Sequence, residues 1–250
     1  MRRYFLEPGS IQDSEVLITG DDFHHIHHVC RHQVGDRFEV LGVEHKAFLV
    51  ELLEVSKKTA KARILETRSV PPLPLPRIYL AVSLSRFATM DTIVEKAVEL
   101  GVAEFRPFVS SRSFMTRVEK IPASKVARWD KIVKGATQQS GRGEKMPVMP
   151  VVPLPKLLEE FNQRHRCGGL FAYEGLSDTS IKPALRQLSQ SDLSEIWIFV
   201  GSEGGFSEDE VSLFAENGLR PVTVGDQVLR VETACLALVS VIKYEFDLMS

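Results

Sequence analysis

The sequence predicts a two-part α/β protein: a small β-barrel or sandwich, then an α/β domain built on a mainly parallel sheet. Three observations carry this expectation. The first seventy residues hold short strand patterns at close spacing. The run Pro71-Pro72-Leu73-Pro74-Leu75-Pro76, four prolines in six residues, is neither helix nor central strand and stiffens a linker. Beyond it the pattern turns to strand–helix alternation, which builds parallel sheets covered by helices. The expected domains are residues 1–70 and 78–250, joined by a linker at 71–77.

In the first part, Glu15-Val16-Leu17-Ile18 is a short apolar strand. Arg37-Phe38-Glu39-Val40-Leu41 follows the turn signal Gly35-Asp36, begins with alternation and ends at Gly42. Residues 47–52 and 60–65 complete the strand series. A helix from about Asp22 to His32 interrupts it, with Asp21 or Asp22 as N-cap.

In the second part, residues 78–83 form a buried strand, and 90–100 form a helix closed by Gly101. Residues 104–109 are a strand weakened by Pro107. Residues 123–139 form a basic helix, and 169–173 and 195–200 are core strands. Ser207-Glu208-Asp209-Glu210 is a capping box. Residues 220–224 form another strand, and 233–246 form a helix apolar on most faces, with Thr233 as N-cap.

The 250 residues carry a net charge of −2, so any nucleic-acid partner must be met by a local patch. Three scattered cysteines are no disulfide framework and fit a reducing cytosol. The N-terminus lacks the apolar core of a signal peptide, and no run is long and apolar enough to cross a membrane.

Two glycine-bearing segments stand out: Gly201-Ser202-Glu203-Gly204-Gly205-Phe206, and Val224-Gly225 through to Ala234. Each joins a strand to a helix, where glycines permit positive φ and close backbone approach to a ligand. A tight structural turn is the bland alternative. Phosphate is disfavoured. There is no P-loop lysine, the spacing misses the dinucleotide fingerprint, and Glu203 repels anions. A ligand with a positive or neutral centre fits better. Arg230, beside a core helix, requires a partner: Glu203, Glu232 or a substrate.

Residues 112–145 hold nine Lys/Arg against three acids, with Trp129 among them. This reads as an RNA footprint or as a solvated helix face. His24, His28 and His32 share a helical face, yet His25 and His27 point elsewhere and no paired-Cys or H-E-x-x-H motif accompanies them. No metal is expected. No G-x-S-x-G elbow supports a hydrolase.

The order of motifs resembles the RsmE family, the 16S rRNA (uracil-N3)-methyltransferases of the SPOUT class. The match runs from Arg3-Tyr4-Phe5 through His28-Val29-Cys30-Arg31 and Gly35-Asp36. It continues through residues 95–102, Arg112-Ser113 and Gln139-Ser140-Gly141-Arg142 to the two C-terminal loops. The resemblance implies a PUA-like β-barrel, then a SPOUT α/β domain with a deep trefoil knot. It also implies S-adenosylmethionine as cofactor, a homodimer, and 16S rRNA or the small ribosomal subunit as partner. Carried over by position, the cofactor is held at Tyr173, Val200, Gly201, Glu203, Gly204, Gly205, Val224, Gly225, Val228, Leu229, Arg230, Thr233 and Ala234. A loop after Tyr173 closes over the adenine. Arg230 and Glu232 are the catalytic candidates, with Glu203 the alternative general base. Arg3, His28, Arg31, Arg112, Gln139 and Arg142 are the RNA candidates. Three departures stand against the family pattern: Ser202 for proline, Gln138 for glutamate, and Phe87-Ala88-Thr89 for a glycine-rich, charged stretch. The alternatives are a knotted enzyme acting on a ribose 2′-hydroxyl or another base, and a non-catalytic RNA-binding protein.

Overall fold

The computed structural model describes residues 2–6, 8–12, 14–43, 45–175 and 180–249. The chain divides into two compact units: Met1–Pro72 with Lys134–Lys145, and Leu73–Val133 with Met146–Ser250. The split after Pro72 falls within the proline run. The return of Lys134–Lys145 to the first unit departs from one continuous domain over 78–250. Its cause is long-range pairing that leaves no local sequence signal. Lys134 Nζ donates to Asp22 at 2.6 Å, Arg3 lies against Gly141, and Gly143 packs on Val70.

The first unit is a six-stranded sheet. Its strands are β1 (Arg3–Phe5), β2 (Ile11–Gln12), β3 (Glu15–Thr19), β4 (Arg37–Val43), β5 (Lys46–Val55) and β6 (Thr59–Ser69). They run in the order β1-β4-β5-β6-β3-β2. Only the β1–β4 pair is parallel. Period-two alternation sets the register: Val16 and Ile18 are buried while Leu17 is 41% exposed. Register shifts between β5 and β6 at Leu49/Val50 and Leu52/Glu54 add local twist. One face of the sheet closes on Tyr4, Phe38, Val40, Val50 and Leu52. Each such burial stabilises by about 1.5–3 kcal/mol.

Three local expectations change. Strand β4 runs past Gly42 to Val43. β1 and β2 are too short for periodicity to announce. The expected helix starts earlier, as α1 (Gly20–Phe23) with Thr19 at its N-cap and no side-chain cap bond. It continues as a π-helical segment, His24–Val29, buried through Phe23 and Ile26. The wider turn is seen in Cys30 N–H donating to His25 O at 2.8 Å.

The second unit is a parallel sheet flanked by helices. Its strands are β7 (Arg77–Ser83), β8 (Glu104–Val109), β9 (Val152–Pro153), β10 (Cys167–Ala172), β11 (Glu195–Val200) and β12 (Arg220–Val222). The order is β12-β10-β11-β7-β8-β9, and every pair is parallel. The expected central strands are buried apolar runs, as a two-sided sheet requires. Pro107 is accommodated because its missing N–H points the same way as that of Phe105, toward the short edge strand β9.

The helices are α2 (Phe87–Glu99), α3 (Ala123–Ser140), α4 (Leu154–Asn162), α5 (Ile181–Ser189), α6 (Glu208–Glu216) and α7 (Val231–Glu245). Gly101, at φ +77°, follows α2. Ser207 and Glu210 form the capping box of α6 with both reciprocal bonds present. α7 begins at Val231, so its N-cap is Arg230, and Thr233 lies inside the first turn rather than capping it. α4 and α5 lie outside the sequence expectations. Both carry a proline in their first turn, where its lost N–H costs little. The core between sheet and helices is aromatic: Phe171 stacks on Phe214 with ring centres 4.4 Å apart, and Phe206 stacks on Phe108. Trp129, expected within a basic stripe, is wholly buried, with Nε1 donating to Asp91.

Candidate active site

The carboxyl ends of β10, β11 and β12 are neighbours in the sheet, and the chain leaving each enters a loop. Beside them stands the first turn of α7. Together they line a cleft of about 700 Å³, its open mouth included. Ligands of open α/β sheets lie at this end because the loops and helix N-termini there expose unpaired N–H groups. From β11 come Val200, Gly201, Ser202 and Gly205. β12 and its loop supply Val224, Gly225, Val228 and Leu229; β10 supplies Tyr173; α7 supplies Ala234.

The first loop is a tight turn, with Gly205 N–H donating to Ser202 O at 2.9 Å. Gly205 takes φ +67°, and a Cβ there collides with the Glu174 carboxylate. A Cβ on Gly201 lies 3.1 Å from the Gly205 backbone. Both glycines are thus demanded by the shape of the turn.

The cleft wall carries two carboxylates, Glu174 and Asp226, and among the described residues no Lys, Arg or His lines it. It therefore favours a ligand bearing positive charge over a phosphate. The same preference was expected from Glu203. Glu203 does not line the cleft; its carboxylate accepts the Arg86 N–H at 3.2 Å, at the N-cap of α2. Gly204, Arg230 and Thr233 also lie outside the cleft lining. Glu174, in the expected loop after Tyr173, and Asp226 and Gln227, within the expected 224–234 loop, also line the cleft, although the sequence singled out none of them. The loop after Tyr173 is described only in part, and Leu176–Thr179 lie outside the described residues.

Arg230 is exposed at the head of α7, between the cleft-lining Leu229 and Val231. Among the described residues its guanidinium has no partner, so the expected pairing with Glu203 or Glu232 is not formed. Glu232 sits half-buried in the first turn of α7, where a negative charge is favourable. Burial pushes the Cys167 thiol up to about 12, and raises Cys235 as well, so neither is an activated nucleophile.

Residues 71–243 match the RNA methyltransferase domain family, and residues 18–65 match the RNA methyltransferase PUA domain. The chain belongs to this RNA methyltransferase family. A relative, the ribosomal RNA small subunit methyltransferase E of Bacillus subtilis, is 33% identical across 100% of this chain and 98% of its own. The crystal structure of ribosomal RNA small subunit methyltransferase E from Neisseria gonorrhoeae, bound to S-adenosyl methionine, superposes with a TM-score of 0.85. That pair is 28% identical over 98% of this chain and 97% of the other. A Legionella pneumophila methyltransferase in complex with the same cofactor gives 0.81, at 27% identity over 97% and 96% of the two chains.

The RNA candidates of this methyltransferase fall into different settings. In the first unit, Arg3 pairs with Glu39 at 2.8 Å and lines a polar groove that also holds Arg2, His25 and Gln139. His28 and Arg31 are exposed, with His28 packed against Phe23 and His24. Arg142 presents little to solvent: its side chain is 6% exposed and lies 3.9 Å from Glu144. In the second unit, Arg112 donates to Gly204 O at 3.0 Å. The basic stripe is further broken by Arg128, which pairs with Asp91. Among the described residues no three of His, Cys, Asp and Glu are grouped to hold a metal ion.

Proposed function

We propose that this chain methylates N3 of a uridine in 16S rRNA, using S-adenosylmethionine, as a cytoplasmic homodimer. The observation that carries the cofactor reading is a cleft lined, among the described residues, by two carboxylates and a glycine turn and by no cationic side chain. S-adenosylmethionine is a cation without phosphate, and its sulfonium makes the transferable methyl electrophilic. Backbone groups at Gly201, Gly225, Val228 and Leu229 hold the adenosyl part. Tyr173, Val200, Gly205, Val224 and Ala234 shape the walls. Glu174 and Asp226 meet the positive charge. Glu203, Gly204 and Thr233 support the site from outside the lining. The trefoil knot belongs to the same reading.

Arg230 faces the charge that develops on the uracil ring when N3 loses its proton, and stabilises it as an oriented cation does. That its guanidinium has no partner among the described residues supports this role, because no ion pair to them is broken when substrate arrives. Glu232, two residues on, takes the N3 proton. The target base must leave its surroundings to reach the cleft. Arg3, His28, Arg31 and Gln139 contact RNA from the first unit, and Arg142 orders their loop.

Small-subunit rRNA from a strain lacking this gene, digested and read by mass spectrometry, tests the function. The expected result is loss of 3-methyluridine, restored by the wild-type gene. Retained 3-methyluridine overturns the reading, and loss of a 2′-O-methyl nucleoside instead reassigns the acceptor.

A further inference from the structure

We propose that Arg112 is a positioning residue for the cofactor loop, not a contact to nucleic acid; the proposal rests on the cofactor reading above. Residues 110–113 follow β8 and form a bracket fixed at both ends. At one end the hydroxyls of Ser83, Ser110 and Ser113 lie 2.6–3.2 Å from one another, all buried. Ser110 N–H donates to Ser113 Oγ at 2.8 Å, and Phe114 N–H donates to Leu84 O at 2.7 Å. At the other end Ser111 donates from N and Oγ to the Glu210 carboxylate, at 2.7 and 3.0 Å. Glu210 also accepts the Ser207 N–H at the start of α6.

Arg112 stands between these anchors and grips the glycine turn in two ways. Its Nη1 donates to Gly204 O at 3.0 Å, and its own carbonyl accepts the Ser202 hydroxyl at 2.6 Å. A Cβ on Gly204 lies 3.0 Å from the Arg112 Cβ, so the fit leaves no slack. The peptides of residues 201–205 are therefore oriented before a ligand arrives, and the cofactor meets a turn that need not order itself.

The test uses the full-length chain as wild type, Arg112→Ala, Arg112→Lys and Ser202→Ala. Each is titrated with S-adenosylmethionine by calorimetry, and with a small-subunit rRNA fragment across a salt series. Arg112→Ala is expected to weaken cofactor binding about tenfold, the scale of one lost hydrogen bond to a charged donor. Lysine restores part of the loss. The RNA salt slope stays unchanged, and in turnover KM rises for cofactor but not for RNA. Unchanged cofactor affinity, with a salt slope shallower by about one, makes Arg112 a phosphate contact and overturns the proposal. Should Arg112→Ala not fold, Ser202→Ala decides: undiminished cofactor binding by that variant overturns it. Failure of the wild type to bind cofactor overturns both this proposal and the function. Failure confined to the variants' effects overturns only the role of Arg112.

Discussion

In the proposed reading three charged residues govern the chemistry, Glu174 and Asp226 in the cleft and Arg230 beside it, and each is testable alone. Glu174→Gln and Asp226→Asn are each expected to weaken S-adenosylmethionine binding severalfold, with a smaller effect at high salt, since partly solvated charges are screened. Calorimetry at two ionic strengths checks this; no change in either variant places the cation elsewhere. Arg230→Ala is expected to lower kcat by at least a hundredfold while circular dichroism and cofactor affinity stay unchanged. The glycines of this site were legible in the sequence because a strand–turn–helix junction needs positive φ at a few positions. The carboxylate identity was not. Glu203 lies in the glycine turn itself, yet it turns to the backbone of Arg86, and Glu174, from the loop after β10, lies against Gly205. Which side chain faces the cleft is settled where three loops meet, not by neighbours in sequence. Ser202 departs from the proline of the resembling family, and its hydroxyl ties the turn to Arg112.

Helix signals written in local chemistry were read correctly where the cap is a side chain. Ser207 accepts from Glu210 N–H while the Glu210 carboxylate accepts from Ser207 N–H. Ser207→Ala is expected to cost about 1 kcal/mol in urea unfolding, and because Glu210 also holds Ser111, the loss reaches the 110–113 loop. At α7 the same logic misplaced the start, because Arg230 caps by backbone geometry alone. The start of α1 was misplaced for the same reason, with Thr19 as a cap that makes no side-chain bond. Central strands of the parallel sheet were legible as continuous apolar runs. β1, β2 and β9, of two or three residues, carry too few positions for any period, whereas the three-residue β12 was found within the expected strand 220–224.

At the scale of the molecule, the two-part organisation was legible in the proline run and in the change from close-spaced strands to alternation. The basic stripe read as one surface is divided: Trp129 belongs to the core, and Arg128 and Lys134 are paired with Asp91 and Asp22. The first unit also carries an acid sensitivity. Burial alone raises the Glu39 carboxyl, but hydrogen bonds from Arg68 and Arg3 outweigh it and hold the group below its usual 4.5. A depressed carboxylate stabilises fully above that ordinary value and loses its contribution as pH falls below it. Urea unfolding is expected to show a steeper loss of stability below about pH 4.5 in the wild type than in Glu39→Gln.

The pairing of Lys134–Lys145 with the first unit has a consequence for synthesis. Asp22 and Val70 leave the ribosome well before the lysine and glycine that complete their surroundings. At ordinary elongation rates the wait from Pro72 to Lys145 is roughly 4 to 15 seconds. The amino-terminal unit, first to be translated, is thus unfinished until the middle of the chain has emerged. Severing the chain at its prolines yields a first fragment that lacks the ion-pair partner of Asp22 and the glycine backbone that packs on Val70.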